Sequence, residues 1–152
     1  MPIVCILIGS NIDPAANTCQ ALKMLRCISK ITAVSSTWET PAVGSTGPNF
    51  LNTALLLQTE LPPGMLKNDV LKPLEEKLGR VRTSDRFAPR TIDLDIVTYG
   101  DEVIDLNLWE RAFIAIPVAE LLPDLRHPGT GRTLNQIAAA LEKTSGAVRC
   151  NP

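Results

Sequence analysis

The chain has 152 residues, 45% of them hydrophobic, enough for one domain with a real core and too few for two ordinary ones. A formal net charge of -1 with 20% charged residues excludes a global pull toward nucleic acid or anionic membrane, so any polyanion site has to be local. No run reaches the length of a membrane span, and the start MPIVCILIG lacks a basic leader region and a small-residue cleavage pattern, so the expectation is a soluble cytoplasmic protein.

Ile3 to Ile8 is continuously apolar and β-rich, as a central strand buried on both faces should be, and Gly9-Ser10-Asn11 ends it. Asp13 and Pro14 open a helix whose apolar stripe is Ala21, Leu22, Leu25 and Ile28, running to about Ser29. A second strand covers Ile31 to Trp38. The loop from Thr40 to Asn49, with two prolines and two glycines, is longer than a hairpin needs. Phe50 to Thr59 is a third strand. Pro62-Pro63-Gly64 opens a helical stretch to about Leu78, kinked or restarted near Pro73 and ended by Gly79.

An arginine-rich loop follows, and then a strand with two aspartates two apart. Read by period two, Thr91, Asp93, Asp95 and Val97 share one face, while Ile92, Leu94, Ile96 and Thr98 share the other. Both carboxylates therefore point the same way, about 7 Å apart at Cα. Like charges that close raise each other's pKa unless a cation is supplied. Two readings stand: a strand end salt-bridged by Arg80, Arg82, Arg86 and Arg90, or a metal site. The order β-α-β-β-α-β is that of a ferredoxin-like α+β fold, an antiparallel sheet with helices on one face, two layers in all. A C-terminal helical extension adds Arg111 to Leu122, helical in part, and a final helix from about Thr133 to Lys143.

Other chemistries are poorly supported. Cys5, Cys19, Cys27 and Cys150 show no C-x-x-C spacing, so reduced and mostly buried thiols are expected. His127 is the single histidine, which discounts zinc and a Cys-His nucleophile. There is no G-x-x-x-x-G-K-[ST] and no G-x-G-x-x-G after a strand; the glycines at Gly44 and Gly129 read as turns. An RNA-recognition domain shares the strand order but needs aromatics on a central strand, and this chain has six aromatics in total.

The run GRVRTSDRFAPRTIDLDIVTYGDEVI from Gly79 resembles the signature of the 6-hydroxymethyl-7,8-dihydropterin pyrophosphokinases, folate-pathway enzymes. IGSN at Ile8, SSTWETPAVG at Ser35 and PNFLNTALLLQT at Pro48 are similar to the same family, so the resemblance covers Ile3 to about Leu125. It implies transfer of the terminal pyrophosphoryl group of ATP to the hydroxymethyl oxygen of a reduced pterin, leaving AMP, in one domain over 1–152 that acts as a monomer. It implies Asp93 and Asp95 as ligands of two Mg2+ ions that come with the nucleotide, a coordination that suits magnesium. By the same match Arg82 and Arg90 grip the triphosphate, Arg80 helps from the same loop, and Glu75, Ile96 and Arg111 help hold ATP. Phe50 and Phe113 sandwich the pterin and Phe87 closes over it. Asn52, Thr40 and the backbone near Pro41 and Val43 read its amide edge.

The chain departs from the family between the aspartate strand and Arg-Ala-Phe. The family usually has a longer segment there, with a His-Pro or His-Tyr pair that reaches the ATP phosphates. Here DEVIDLNLWERAF connects directly, and His127 lies too far along to serve. Phe87 stands where tryptophan is usual and Ala88 where glycine is usual. The expected consequence falls on ATP affinity. Two rival readings remain at this point: a descendant that binds pterin or nucleotide without efficient transfer, and a ferredoxin-like RNA-binding or regulatory module.

Overall fold

The computed structural model describes residues 1–42, 47–79 and 92–150. Its spine is β1 (Ile3–Ser10), fully buried from Val4 onward because it pairs on both edges and is covered on both faces. It runs antiparallel to β3 (Phe50–Gln58) on one side and to β4 (Asp93–Tyr99) on the other. β2 (Lys30–Thr40) adds outside β3, β5 (Glu102–Val103) outside β4, and β6 (Val148–Arg149) outside β2. The sheet order is therefore β5-β4-β1-β3-β2-β6. The α+β class and the β-α-β-β-α-β core expected from the pattern are present.

Two cores lie on opposite faces of this sheet. On one, Val4, Ile6, Ile8, Leu55, Leu57, Leu94 and Ile96 meet Ala21 and Leu25 of α1 (Pro14–Ile28). They also meet Leu66, Leu71 and Leu74 of the second helical region. On the other, Cys5, Leu7, Ala54 and Val97 meet α4 (Ala112–Leu121) and α5 (Leu134–Ser145). The expected two layers thus gain a third. The C-terminal extension is no appendage, since the second apolar face of β1 would otherwise be bare to water.

The second helical region is built of α2 (Pro63–Met65), a π-helical turn (Leu66–Leu71) and α3 (Lys72–Lys77). The expected kink at Pro73 takes that form for a steric reason: a proline ring clashes with the carbonyl four residues back, and widening the preceding turn relieves the clash. The widened turn is visible in the Lys72 amide, which donates to the Lys67 carbonyl five residues back. Gly79, at φ 86°, ends the region in the left-handed conformation that glycine adopts most readily.

Two smaller expectations need correction. Asp13 stands at the N-cap of α1 in a left-handed conformation, φ 43°, and its side chain makes no cap hydrogen bond; its carbonyl takes the Asn17 amide instead. Of the cysteines only Cys5 is buried, while Cys19 and Cys27 are exposed. The inward row of α1 is Thr18, Ala21 and Leu25, and neither cysteine falls on it. α5 opens with a capping box in which Thr133 and Gln136 exchange side-chain and backbone hydrogen bonds. Among the described residues no helix is long and apolar enough to cross a membrane.

Candidate active site

The register of the central strands assembles the site. Gly9 of β1 lies opposite Asp93 on one side and Asn52 on the other, and Leu7 lies opposite Asp95 and Ala54. Leu7, Ala54 and Val97 belong to the core beneath α4 and α5, so by strand alternation Asp93, Asp95, Asn52 and Phe50 share that face. A Cβ built on Gly9 would meet Asn52 Oδ1 at 3.3 Å and Phe50 Cδ1 at 3.8 Å, so both side chains lie close over the glycine.

Asn52 is 2% exposed, and its Nδ2 donates to Thr40 Oγ1 at 2.7 Å. The bond locks the amide orientation, presenting Oδ1 toward Gly9. Thr40 and Pro41 also line a cleft of about 240 Å3 together with Arg111 and Phe113 from the start of α4 and Leu141, Thr144 and Ser145 from α5. The three α5 residues carry no motif and could not be found from sequence; they enter because the third layer closes this end of the sheet. Asn11 Nδ2 donates to the Pro48 carbonyl at 3.3 Å, tying the end of β1 to the approach of β3.

The electrostatics centre on the aspartate pair. Burial, then the Asp93 carboxylate, then Glu75 and Asp105, push the Asp95 carboxyl from 3.8 up to about 7, with the hydrogen bond that the Asp95 carboxyl donates to Asp93 acting in the same direction. Asp105 was not singled out in the sequence. Its side chain accepts the Asn107 amide at 3.0 Å, capping a 3-10 turn (Leu106–Trp109) formed by the short connection to α4. Ile104 and Asp105 amides both donate to the Val97 carbonyl, which pins that connection to β4.

A group of acids held this way wants positive charge. On one face of the sheet Asp93 and Asp95 offer two carboxylates, and among the described residues no three His, Cys, Asp or Glu side chains cluster as a metal site. That donor set fits Mg2+, which keeps its waters and takes one or two carboxylates plus substrate oxygens.

The other expected residues fall variously. The Glu75 carboxylate is buried, and Oε2 accepts the Leu94 amide at 2.9 Å. The Ile96 side chain packs in the α1 and α3 core, on the face away from the aspartates, so a nucleotide contact there concerns its main chain. Arg111 is exposed at the N-cap of α4. Arg80, Arg82, Arg90, Phe87 and Val43 lie outside the described residues. His127 is occupied elsewhere: its ring stands edge-on to Trp109, centroids 5.1 Å apart, and its Nδ1 accepts the Gly129 and Thr130 amides.

Comparison with known proteins shows the family and the fold. A family model described as 7,8-dihydro-6-hydroxymethylpterin-pyrophosphokinase matches residues 5–123. The 2-amino-4-hydroxy-6-hydroxymethyldihydropteridine pyrophosphokinase of Pseudomonas aeruginosa is 35% identical over 161 positions, covering 95% of this chain and 98% of that protein. The alignment is longer than this chain's 152 residues, so the relative carries residues that this chain lacks. The protein of the same description from Methylorubrum extorquens is 40% identical over 131 residues, covering 78% of this chain and 81% of that one. Among solved structures, the wild-type Plasmodium falciparum HPPK-DHPS superposes with a TM-score of 0.71 at 12% identity, over 94% of this chain and 46% of the other. The chain thus spans under half of that longer protein, whose likeness speaks to the fold alone. Family match and near full-length relatives agree: the chain belongs to the 7,8-dihydro-6-hydroxymethylpterin-pyrophosphokinase family.

Proposed function

We propose that this chain, as one domain over residues 1–152 and as a cytoplasmic monomer, transfers the pyrophosphoryl group of ATP to the hydroxymethyl oxygen of 6-hydroxymethyl-7,8-dihydropterin. AMP leaves, and the pterin diphosphate goes on to folate synthesis. The observation that carries the reading is the row Asp93, Gly9, Asn52 across three adjacent strands, which with Asp95 two residues along sets two acids, a glycine gap and an oriented amide on one sheet face.

In this reading Asp93 and Asp95 are the ligands of two Mg2+ ions, which when bound supply positive charge at the attacking and leaving oxygens. Phe50 and Phe113 hold the pterin flat, with Phe87 closing over it, and stacking of this kind is inexpensive for a planar heteroaromatic ring. Asn52, braced by Thr40, reads the amide edge together with the main chain near Pro41 and Val43. Arg82 and Arg90, with Arg80 and Arg111, clamp the triphosphate, because phosphoryl transfer is mostly positioning and charge neutralisation. Glu75 and Ile96 support the nucleotide side. The new bond joins the hydroxymethyl oxygen to the β-phosphorus, the bond from that phosphorus to the α-phosphate bridge breaks, and the hydroxyl proton is released.

The test is a 31P NMR time course with ATP, Mg2+ and the reduced hydroxymethylpterin. AMP and a pterin diphosphate should appear together, and chelating the metal should stop both. Asp93→Ala and Asp95→Ala should fold and give neither product. ADP as the nucleotide product, or turnover that survives both substitutions at saturating Mg2+, would refute the assignment.

A further inference from the structure

Along its first half β4 is a sheet edge. Among the described residues β5 pairs only with Thr98 and Tyr99, so there the start of the strand has a sheet partner on the β1 side alone. Leu94 is 3% exposed there, and a buried amide without an acceptor is strongly disfavoured. Glu75 supplies the acceptor, at 2.9 Å from Oε2. Glu75 is itself 3% exposed, in a helical row with Leu71, Leu74 and Leu78 where the 3.6-residue period calls for an apolar side chain. The π-helical turn before Pro73 helps set this row, because its extra residue rotates all that follows relative to Leu66. Burying a carboxylate is costly and persists where it meets a fixed donor. The Leu94 amide is such a donor, on the residue between Asp93 and Asp95.

We propose that Glu75 is a positioning residue for the aspartate pair: by holding the Leu94 amide it fixes the stretch of β4 from which Asp93 and Asp95 project. Its effect on the nucleotide runs through that pair, with no contact to ATP required. The proposal rests on the reading of Asp93 and Asp95 as magnesium ligands, and its test separates the two.

Glu75→Gln keeps an acceptor oxygen of the same reach; Glu75→Ala removes it. Amide hydrogen exchange should show Leu94 protection lost by about tenfold or more in Glu75→Ala and retained in Glu75→Gln, while Leu7 and Ile8 of β1 stay protected in both. The Mg2+ concentration for half-maximal binding of a nonhydrolysable ATP analogue should rise about tenfold in Glu75→Ala and stay within about threefold of the parent in Glu75→Gln, with pterin affinity unchanged in both. Unchanged Leu94 exchange in Glu75→Ala overturns the clamp. So does a Glu75→Gln protein that keeps Leu94 protection yet loses Mg2+-dependent nucleotide binding as fully as the alanine variant, because that pattern belongs to a charge or contact role. Should Glu75→Ala fail to fold, Glu75→Leu, which fills the same space without an acceptor, takes its place in both measurements and in both overturning outcomes. If the metal reading itself is wrong, the Mg2+ dependence of nucleotide binding will persist unchanged in Asp93→Ala and Asp95→Ala, whatever Leu94 exchange reports.

Discussion

Asp95→Asn should make the metal-free protein more stable at high pH and flatten its dependence on pH. Burial first, and then the neighbouring Asp93, Glu75 and Asp105, raise the Asp95 carboxyl from 3.8 to about 7. A group whose folded value is raised contributes stability that is complete below its unfolded value and is lost as pH climbs through the folded one. For Asp95 the window runs from about pH 4 to about pH 7. Between pH 5 and pH 8 the loss covers about two pH units, at most about 2.7 kcal/mol at 1.36 kcal/mol per unit. Because the carboxyl is only partly enclosed, solvent screening brings this to about 1–1.5 kcal/mol. A domain of this size shifts by about 2–4 °C per kcal/mol, so the parent should lose about 2–6 °C more than the variant between the two pH values. The assay is thermal denaturation of both proteins in chelator at pH 5 and pH 8, read as the difference between them so that other titrating groups cancel. Parallel pH profiles, or a variant that melts lower than the parent at pH 8, would refute the picture of a crowded, cation-seeking pair.

Gly9→Ala should raise the KM for the pterin several-fold with the ATP KM unchanged, since the new methyl presses on Asn52 at 3.3 Å and that amide is held by Thr40; steady-state kinetics in each substrate decide it. Arg111→Ala should raise the ATP KM about tenfold with little effect on pterin binding by titration, the size expected for one charged hydrogen bond to phosphate. Thr133→Ala removes the capping box of α5 and should cost about 1 kcal/mol, or about 2–4 °C in Tm, without touching the turnover of folded enzyme at low temperature.

The aspartate face was legible because strand alternation is a strict rule: given a strand at Asp93, both acids had to share a side, and they do. Pro73 and Gly79 were legible for equally local reasons of ring sterics and backbone freedom. What stayed hidden depended on distance in sequence. The third layer was implied by the run Val4 to Ile8, apolar toward both faces, yet nothing local said that α4 and α5 would supply the second cover. The resemblance singled out Glu75 for the nucleotide, but its burial was hidden: by local pattern it is one more helical acid beside Glu76, and the π-turn helps bring it inward. Leu141, Thr144 and Ser145 come to the cleft through packing alone, and Asp105 reaches the aspartates because a short connection folds back on Val97.

The central claim is that two phosphates move as a unit. ATP carrying label at both the β and γ phosphorus, incubated with the protein, Mg2+ and the reduced hydroxymethylpterin, should place both labels on the pterin in equal amount and leave the nucleotide product, AMP, unlabelled. Label at the γ position alone on the pterin, with a β-labelled ADP as the second product, would contradict the account.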